Sequence, residues 1–431
     1  MKSFQVVILV IFIIFAAAGI FLFATFRGDE TIDDIEVAIW GSEDTPTFNN
    51  FLKEFDDNTN KAYNILYTEV DESNFVNSVV EAIASGEEPD IIILSSSNLL
   101  RFRDKILPIP YEVVSERDFK DTFIEGGEIF LSSEGVLAFP ISVDPLVMYW
   151  NRDILQKNGF SIPPKTWSEF FPFAERVTEK DNALNIIKSA VALGEYSNIN
   201  NSKEIILSLI MQNGNPIIIR DPLNDSLRVI LSEDFDRVTV PAESAIKFYT
   251  EFSNPTKTSY SWNRSLPNSI DAFSSGDLAL YFGFASELSE IRLKNPNLNF
   301  DVASFPQSSS ESFGRVYGDI KALAVLKRSK NTNAAVIVAS ALIKEDNIAS
   351  FSSITGLPPV RRGLLANSPG LQFEDLFYKS ALISSAFLDP DYEKTNLIFE
   401  NMINRIISGR ERISRSVKRA NIELNALVVD K

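Results

Sequence analysis

Between Gly135 and Trp167 the chain reads GVLAFPISVDPLVMYWNRDILQKNGFSIPPKTW, an order of pieces that few folds accommodate. Val136 to Phe139 is a short apolar strand that Pro140 stops. Asp144 precedes Pro145, so its backbone is held extended or in a turn. Leu146 to Trp150 is a second apolar, aromatic strand. Asn151 starts a short helix that Gly159 ends. Pro163 and Pro164 stop regular structure, and Thr166 with Glu169 has the spacing of a capping box. Two strands broken by prolines and followed by a helix make either a crossover between two lobes or an edge strand, turn and helix within one domain.

With 431 residues the chain exceeds what one core holds, so two lobes are expected. A hydrophobic content of 45 % and a charged content of 23 % are those of a folded globular protein. The chain has no Cys and no His, which excludes the usual zinc sites, thiol chemistry, disulfides and histidine triads. No metal and no cofactor is expected. A net charge of −17 argues against nucleic acid, whose binding needs lysine and arginine. It fits a soluble, monomeric protein.

Phe4 to Phe26 is almost wholly apolar and carries no charge. As a helix it would be about 35 Å long, enough to cross a bilayer. Lys2 before it and the acids after Arg27 place the N-terminus in the cytoplasm and the remainder outside. A cleaved signal peptide, cut near Ala16-Ala17-Ala18, is the competing reading. The run is long for one, so an uncleaved anchor over 1–27 is expected, with an acidic linker over 28–34.

Next come Ile35 to Trp40 as a strand, a helix with Phe48, Phe51, Leu52 and Phe55 on one face, a strand from Asn64, a helix marked by Phe75, Val79 and Ile83, and the apolar strand Ile91 to Leu94. In such β-α-β-α-β units ligands sit beyond the carboxyl ends of the strands, here at Gly41–Thr45 and Ser95–Asn98. After Trp167 the pattern is mostly helical. Strands are expected at Leu278–Phe282, Phe300–Pro306 and Ile320–Leu326, with a connection over Gly314–Asp319. One long amphipathic helix is expected over Ile398–Val429, its basic residues on a solvated face.

The central stretch resembles the bacterial extracellular solute-binding proteins of ATP-driven importers, of the sugar-binding, maltose-binding-protein-like type. The resemblance rests on Gly135, Phe139, Pro140, Tyr149, Trp150, Asn151, Asp153, Gly159, Pro164, Thr166, Trp167 and Glu169. Ile270–Gly283 (IDAFSSGDLALYFG) and the loop Gly356–Arg362 are similar to further segments of that family. It implies an α/β, two-lobed periplasmic-binding-protein type II fold with a hinge. The lobes would be 35–141 with 302–326, and 146–298 with 330–431. Hinge segments are expected at Ile141–Val147, Phe300–Phe305 and Leu326–Lys330. The implied function is capture of a small solute, a carbohydrate, between the lobes and delivery to the permease subunits of an ABC transporter, with no catalysis. Many relatives are tethered through a cysteine, which this chain lacks, so the apolar helix would replace that tether at the cell membrane. An anchored solute sensor or surface receptor is the alternative; a two-carboxylate glycosidase is a further one.

A sugar site needs aromatic faces and groups that hydrogen-bond to hydroxyls. The aromatic candidates are Trp40, Trp262, Tyr281 and Tyr317, each of which could equally be core. Trp262, in a polar loop, is the foremost of them. The polar candidates are Asp44, Asp144, Asp319 and Arg361. Asp44 could instead be a helix-start acid, Asp144 a turn-former, Asp319 a turn partner of Gly318, and Arg361 a structural ion-pair partner. Trp150 and Trp167 are assigned to packing.

Overall fold

The computed structural model describes residues 35–429, apart from 60–62, 222–224, 309–313, 369 and 371. The expected anchor and linker lie outside the described residues. Among the described residues no helix is long and apolar enough to cross a membrane.

β1 (Glu36–Gly41), β2 (Asn64–Glu69) and β3 (Ile91–Ser95) are parallel, with β1 in the middle. α1 (Thr45–Thr59) and α2 (Phe75–Ser85) connect them. In α1 the four apolar residues at helical spacing are buried, and Phe48 stacks on Tyr67 with ring centroids 4.1 Å apart. Gly86, at φ +76°, ends α2 in a conformation that glycine adopts without a Cβ penalty. All five residues of β3 are buried, as its continuous apolar run requires.

The central ribbon is one strand, β4 (Phe139–Asn151), and its prolines do not divide it. Pro140 sits beside a register shift, where its missing N–H breaks no regular ladder. Pro145 lies where the strand leaves one set of partners for another. The first half of β4 pairs with β8 (Val316–Val325), and the second half with β6 (Leu278–Phe284) and β7 (Phe300–Ser304). β5 (Ile186–Val191), where the sequence suggested no strand, lies parallel to β6. The sheet runs β2-β1-β3-β8-β4-β6-β5 and ends at the short strand Glu179–Lys180.

Side chains sort into two cores along this sheet. The first takes Val37 to Val143 and Ile320 to Leu365; the second takes Leu146 to Tyr317 and most of Phe373 to Val428. The chain therefore passes between cores at Val143–Leu146, at Tyr317–Ile320 and between Leu365 and Phe373. Val302 and Phe305 are buried in the second core, and Leu326 in the first, so two of the three expected hinge segments lie inside a core. Ala334 to Leu342 likewise pack in the first core, against β8, rather than with the chain's end.

Two further expectations are corrected. Gly314–Asp319 is not a connection throughout: β8 begins at Val316, so Gly318 and Asp319 pair with Pro145 and Asp144. Gly318 permits this because a Cβ there would lie 2.6 Å from Ser384 Oγ. The C-terminal pattern is two packed helices, Tyr392–Ile407 and Ile413–Val429, separated at Gly409, which has φ +68°. The first helix after β4 starts as expected, with Asn151 Oδ1 accepting from the Ile154 N–H at 3.0 Å. Glu169 Oε2 accepts from the backbone N–H of Lys165 at 2.7 Å.

Gly318→Ala forces a methyl against buried Ser384, and the mutant is expected to lose about 1–3 kcal/mol in urea unfolding. Unchanged stability would mean that β8 can shift away from Ser384 without cost.

Candidate functional site

Where β4 and β8 pass from one core to the other, the protein keeps a gap. One cavity of about 450 Å³ has Glu72, Ser95 and Asn98 on the side of the first core and Glu204, Phe284 and Tyr317 on the side of the second. A neighbouring cavity of about 280 Å³ is bounded by Glu43, Asp44, Ser142, Asp144, Ser286 and Leu357. Asp319 lines both. Both expected strand-end loops face this seam, where open α/β sheets place ligands.

Asp144 and Asp319 are direct cross-strand partners, an arrangement that costs stability when both are charged. Asp144 Oδ1 accepts from the Ser286 N–H at 3.1 Å. Burial pushes its carboxyl up to about 7 against the pull of that hydrogen bond, with the charges of Glu287 and Asp319 adding to the rise. Burial also raises Asp319, whose Oδ1 accepts from the hydroxyls of Ser95 and Ser96. Lys321 stands beside them. Burial opposes its charge, but Glu43, with an oxygen 2.5 Å from Nζ, outweighs it and holds the lysine above its ordinary range.

The other candidates divide. Tyr317 lines the larger cavity and is 4 % exposed. Asp44 lines the smaller one while capping α1: its Oδ2 accepts from the Thr47 N–H at 3.0 Å, which lowers its pKa. Trp40 packs half-buried against the first core and lines neither cavity. Trp262 is 0 % exposed, with Nε1 donating to Asn198 Oδ1 at 3.2 Å. Its polar loop folds over it, so it is a core residue and no platform for a solute. Tyr281 is buried as well, its hydroxyl bonded to Glu287. Arg361 turns from the seam, with Nη1 donating to the Ile343 carbonyl at 2.9 Å and the guanidinium over the Phe123 ring.

Glu204, Tyr392 and Asp391 at the larger cavity were missed from sequence. For Glu204 a signal existed, since it is an acid in Ser202–Gln212, a helix with every residue buried. Arg101 of the first core meets Asp391 of the second at 2.5 Å. Near it, the hairpin of Ile218–Arg220 and Leu227–Val229 reaches from the second core to the first. There Asp225 Oδ2 is 2.8 Å from Arg103 Nη2, and Asp225 Oδ1 accepts from the Ser133 N–H at 3.1 Å. Arg220 Nη1 donates to the Leu131 carbonyl.

The profile of the bacterial extracellular solute-binding proteins matches residues 50–374 of this chain. The chain belongs to that family. A curated binding protein of Brucella abortus (strain 2308) is 24 % identical over 363 residues, 80 % of this chain and 81 % of its own length. Among solved structures, a cyclo/maltodextrin-binding protein complexed with maltotetraose superposes with a TM-score of 0.74 at 14 % identity, covering 93 % of this chain and 98 % of its own. The sugar-binding protein MalE from the phytopathogen Xanthomonas citri gives 0.72 at 18 % identity, over 92 % and 98 %. At these identities the likeness establishes the two-lobed α/β binding-protein fold. Family membership makes the chain an extracellular solute-binding protein and sets its binding domain outside the cytoplasm.

Two variants check this geometry. Trp262→Ala empties a fully buried site and is expected to cost about 3–5 kcal/mol in the solute-free protein, measured by chemical unfolding. Asp144 carries a carboxyl whose folded pKa of about 7 lies above its ordinary 3.8, so its charge lowers stability as pH rises through that window. Asp144→Asn is therefore expected to exceed the native protein at pH 8 by on the order of 2 kcal/mol, with the cavity solvent screening part of the effect. The gap should close below about pH 4; parallel stability curves for the two proteins would contradict the assignment.

Proposed function

We propose that the chain is held at the cell membrane by an apolar helix over residues 4–26 and captures a carbohydrate between its two lobes for delivery to a permease. The observation that carries this reading is the polar gap at the β4–β8 crossing, to which both cores contribute side chains. Phe284 and Tyr317 offer aromatic surface there, and Asp144 and Asp319 offer acceptors for hydroxyls. The sugars named for the similar structures agree with such a ligand. The lobes in this reading are 35–143 with 320–365 and 146–317 with 373–429. They hinge where the chain crosses, at Asp144–Pro145 and Gly318–Asp319.

Thermal unfolding of the full chain in detergent, and of a form lacking residues 1–34, against mono- and oligosaccharides tests the reading. A true ligand at about a hundred times its Kd adds about 2.7 kcal/mol, roughly 3 °C at the midpoint for a protein of this size. Absence of any shift across the panel would remove carbohydrate as the cargo. Membrane fractionation of the full chain tests the anchor: recovery in the soluble fraction would overturn it.

A further inference from the structure

We infer that the solute carries a protonated amine, seated between the carboxylates of Glu204 and Asp319 beside the hydroxyl of Tyr317. This rests on reading the larger cavity as the solute site and specifies the charge of what enters it.

Two side chains there, on residues buried for most of their surface, turn polar atoms with few protein partners toward the cavity. Tyr317 is 4 % exposed, its backbone N–H donates to Ser208 Oγ, and its hydroxyl makes no hydrogen bond among the described residues. Glu204 is 5 % exposed, and the one side chain that donates to its carboxylate among the described residues is Tyr392, whose hydroxyl lies at a long 3.3 Å. Both line the cavity.

The nearby cations are already engaged. Lys203, next to Glu204 in sequence, directs Nζ to Asp389 at 2.6 Å and to Thr395 Oγ1 at 2.7 Å. Arg101 is paired with Asp391. Lys321 extends its charge toward Asp319, but its Nζ is bonded to Glu43. Glu72 and Glu393 add further acid to the lining. Filling the cavity displaces the water that solvates these carboxylates. A neutral polyol would offer hydrogen bonds yet leave the buried negative charge uncompensated, whereas an ammonium answers both needs. Its N–H groups can bond to Glu204 and Asp319 while the Tyr317 oxygen accepts a third. A protein of net charge −17 also draws cations toward such a cleft.

The test is calorimetric titration of the full chain in detergent with glucosamine, glucose and spermidine. Glucosamine is expected to bind at least about tenfold more tightly than glucose. Its affinity should fall several-fold between about 20 and 300 mM salt while that of glucose stays constant. In Glu204→Gln or Asp319→Asn the preference should shrink below about threefold, with the salt slope of the native protein as the check if either variant fails to fold. Equal affinities for glucosamine and glucose overturn the amine while leaving the carbohydrate reading intact. Binding of spermidine alone supports the amine and removes the carbohydrate. No heat with any of the three overturns the amine.

Discussion

Continuity of β4 through two hydrophobic cores is the constraint on which the architecture depends. Each half of the strand has its own hydrogen-bonded partners, so the two lobes complete their sheets with the two halves of one shared strand. β8 supplies the second crossing and aligns Asp319 with Asp144. At that level neither core closes over the strands, and the gap between cores has a polar floor. Proline at position 145 and glycine at position 318 face each other there, so the crossing is made where regular side-chain packing is least.

Buried charge divides into two kinds. Lys203 with Asp389, each 2 % exposed, is a closed pair with Thr395 completing its hydrogen bonds, and it ties Ser202–Gln212 to the chain near Tyr392. Charges so satisfied hold helices in register. Asp144, Asp319 and Glu204 are held by hydroxyls and single N–H groups, and among the described residues none is in a direct ion pair, since Lys321 and Lys203 bond to Glu43 and Asp389 instead. Burial raises the pKa of all three, and the charges of Lys321 and Lys203 offset only part of the rise for Asp319 and Glu204. These three carboxyls gather at one seam, while the closed pair lies beside it.

Much of the first core was legible because its signals were local. The Phe48–Phe55 stripe specifies one buried face and the Ile91–Leu94 run a strand buried on both; in the second core the Asn151 and Glu169 caps are equally local, using residues a few positions apart. The central ribbon was placed correctly between two halves, although its prolines suggested two strands. Pairing with β8 about 180 positions away overrides that local preference. For the same reason Gly318 and Asp319 read as a turn in sequence and lie in a strand. Trp262 was misjudged because flanking polarity measures a loop's outer face, while burial depends on what the loop folds over. Asp144 was singled out because an acid amid apolar strands is conspicuous, whereas Asp319 was singled out as a loop acid and only the long-range pairing of β8 with β4 sets it opposite Asp144. Glu204 escaped because its helix pattern resembles ordinary core.

The contacts that bridge the lobes by way of Arg103 and Arg220 are made by residues that line neither cavity. They contribute the same attraction whether the cavity is filled or vacant, so an unladen molecule shares part of the posture of a laden one. Any docking partner that must reject unladen molecules then has little to gain from sensing lobe separation alone. Discrimination shifts to what occupancy alone alters, namely the charge balance and stiffness of the crossing strands.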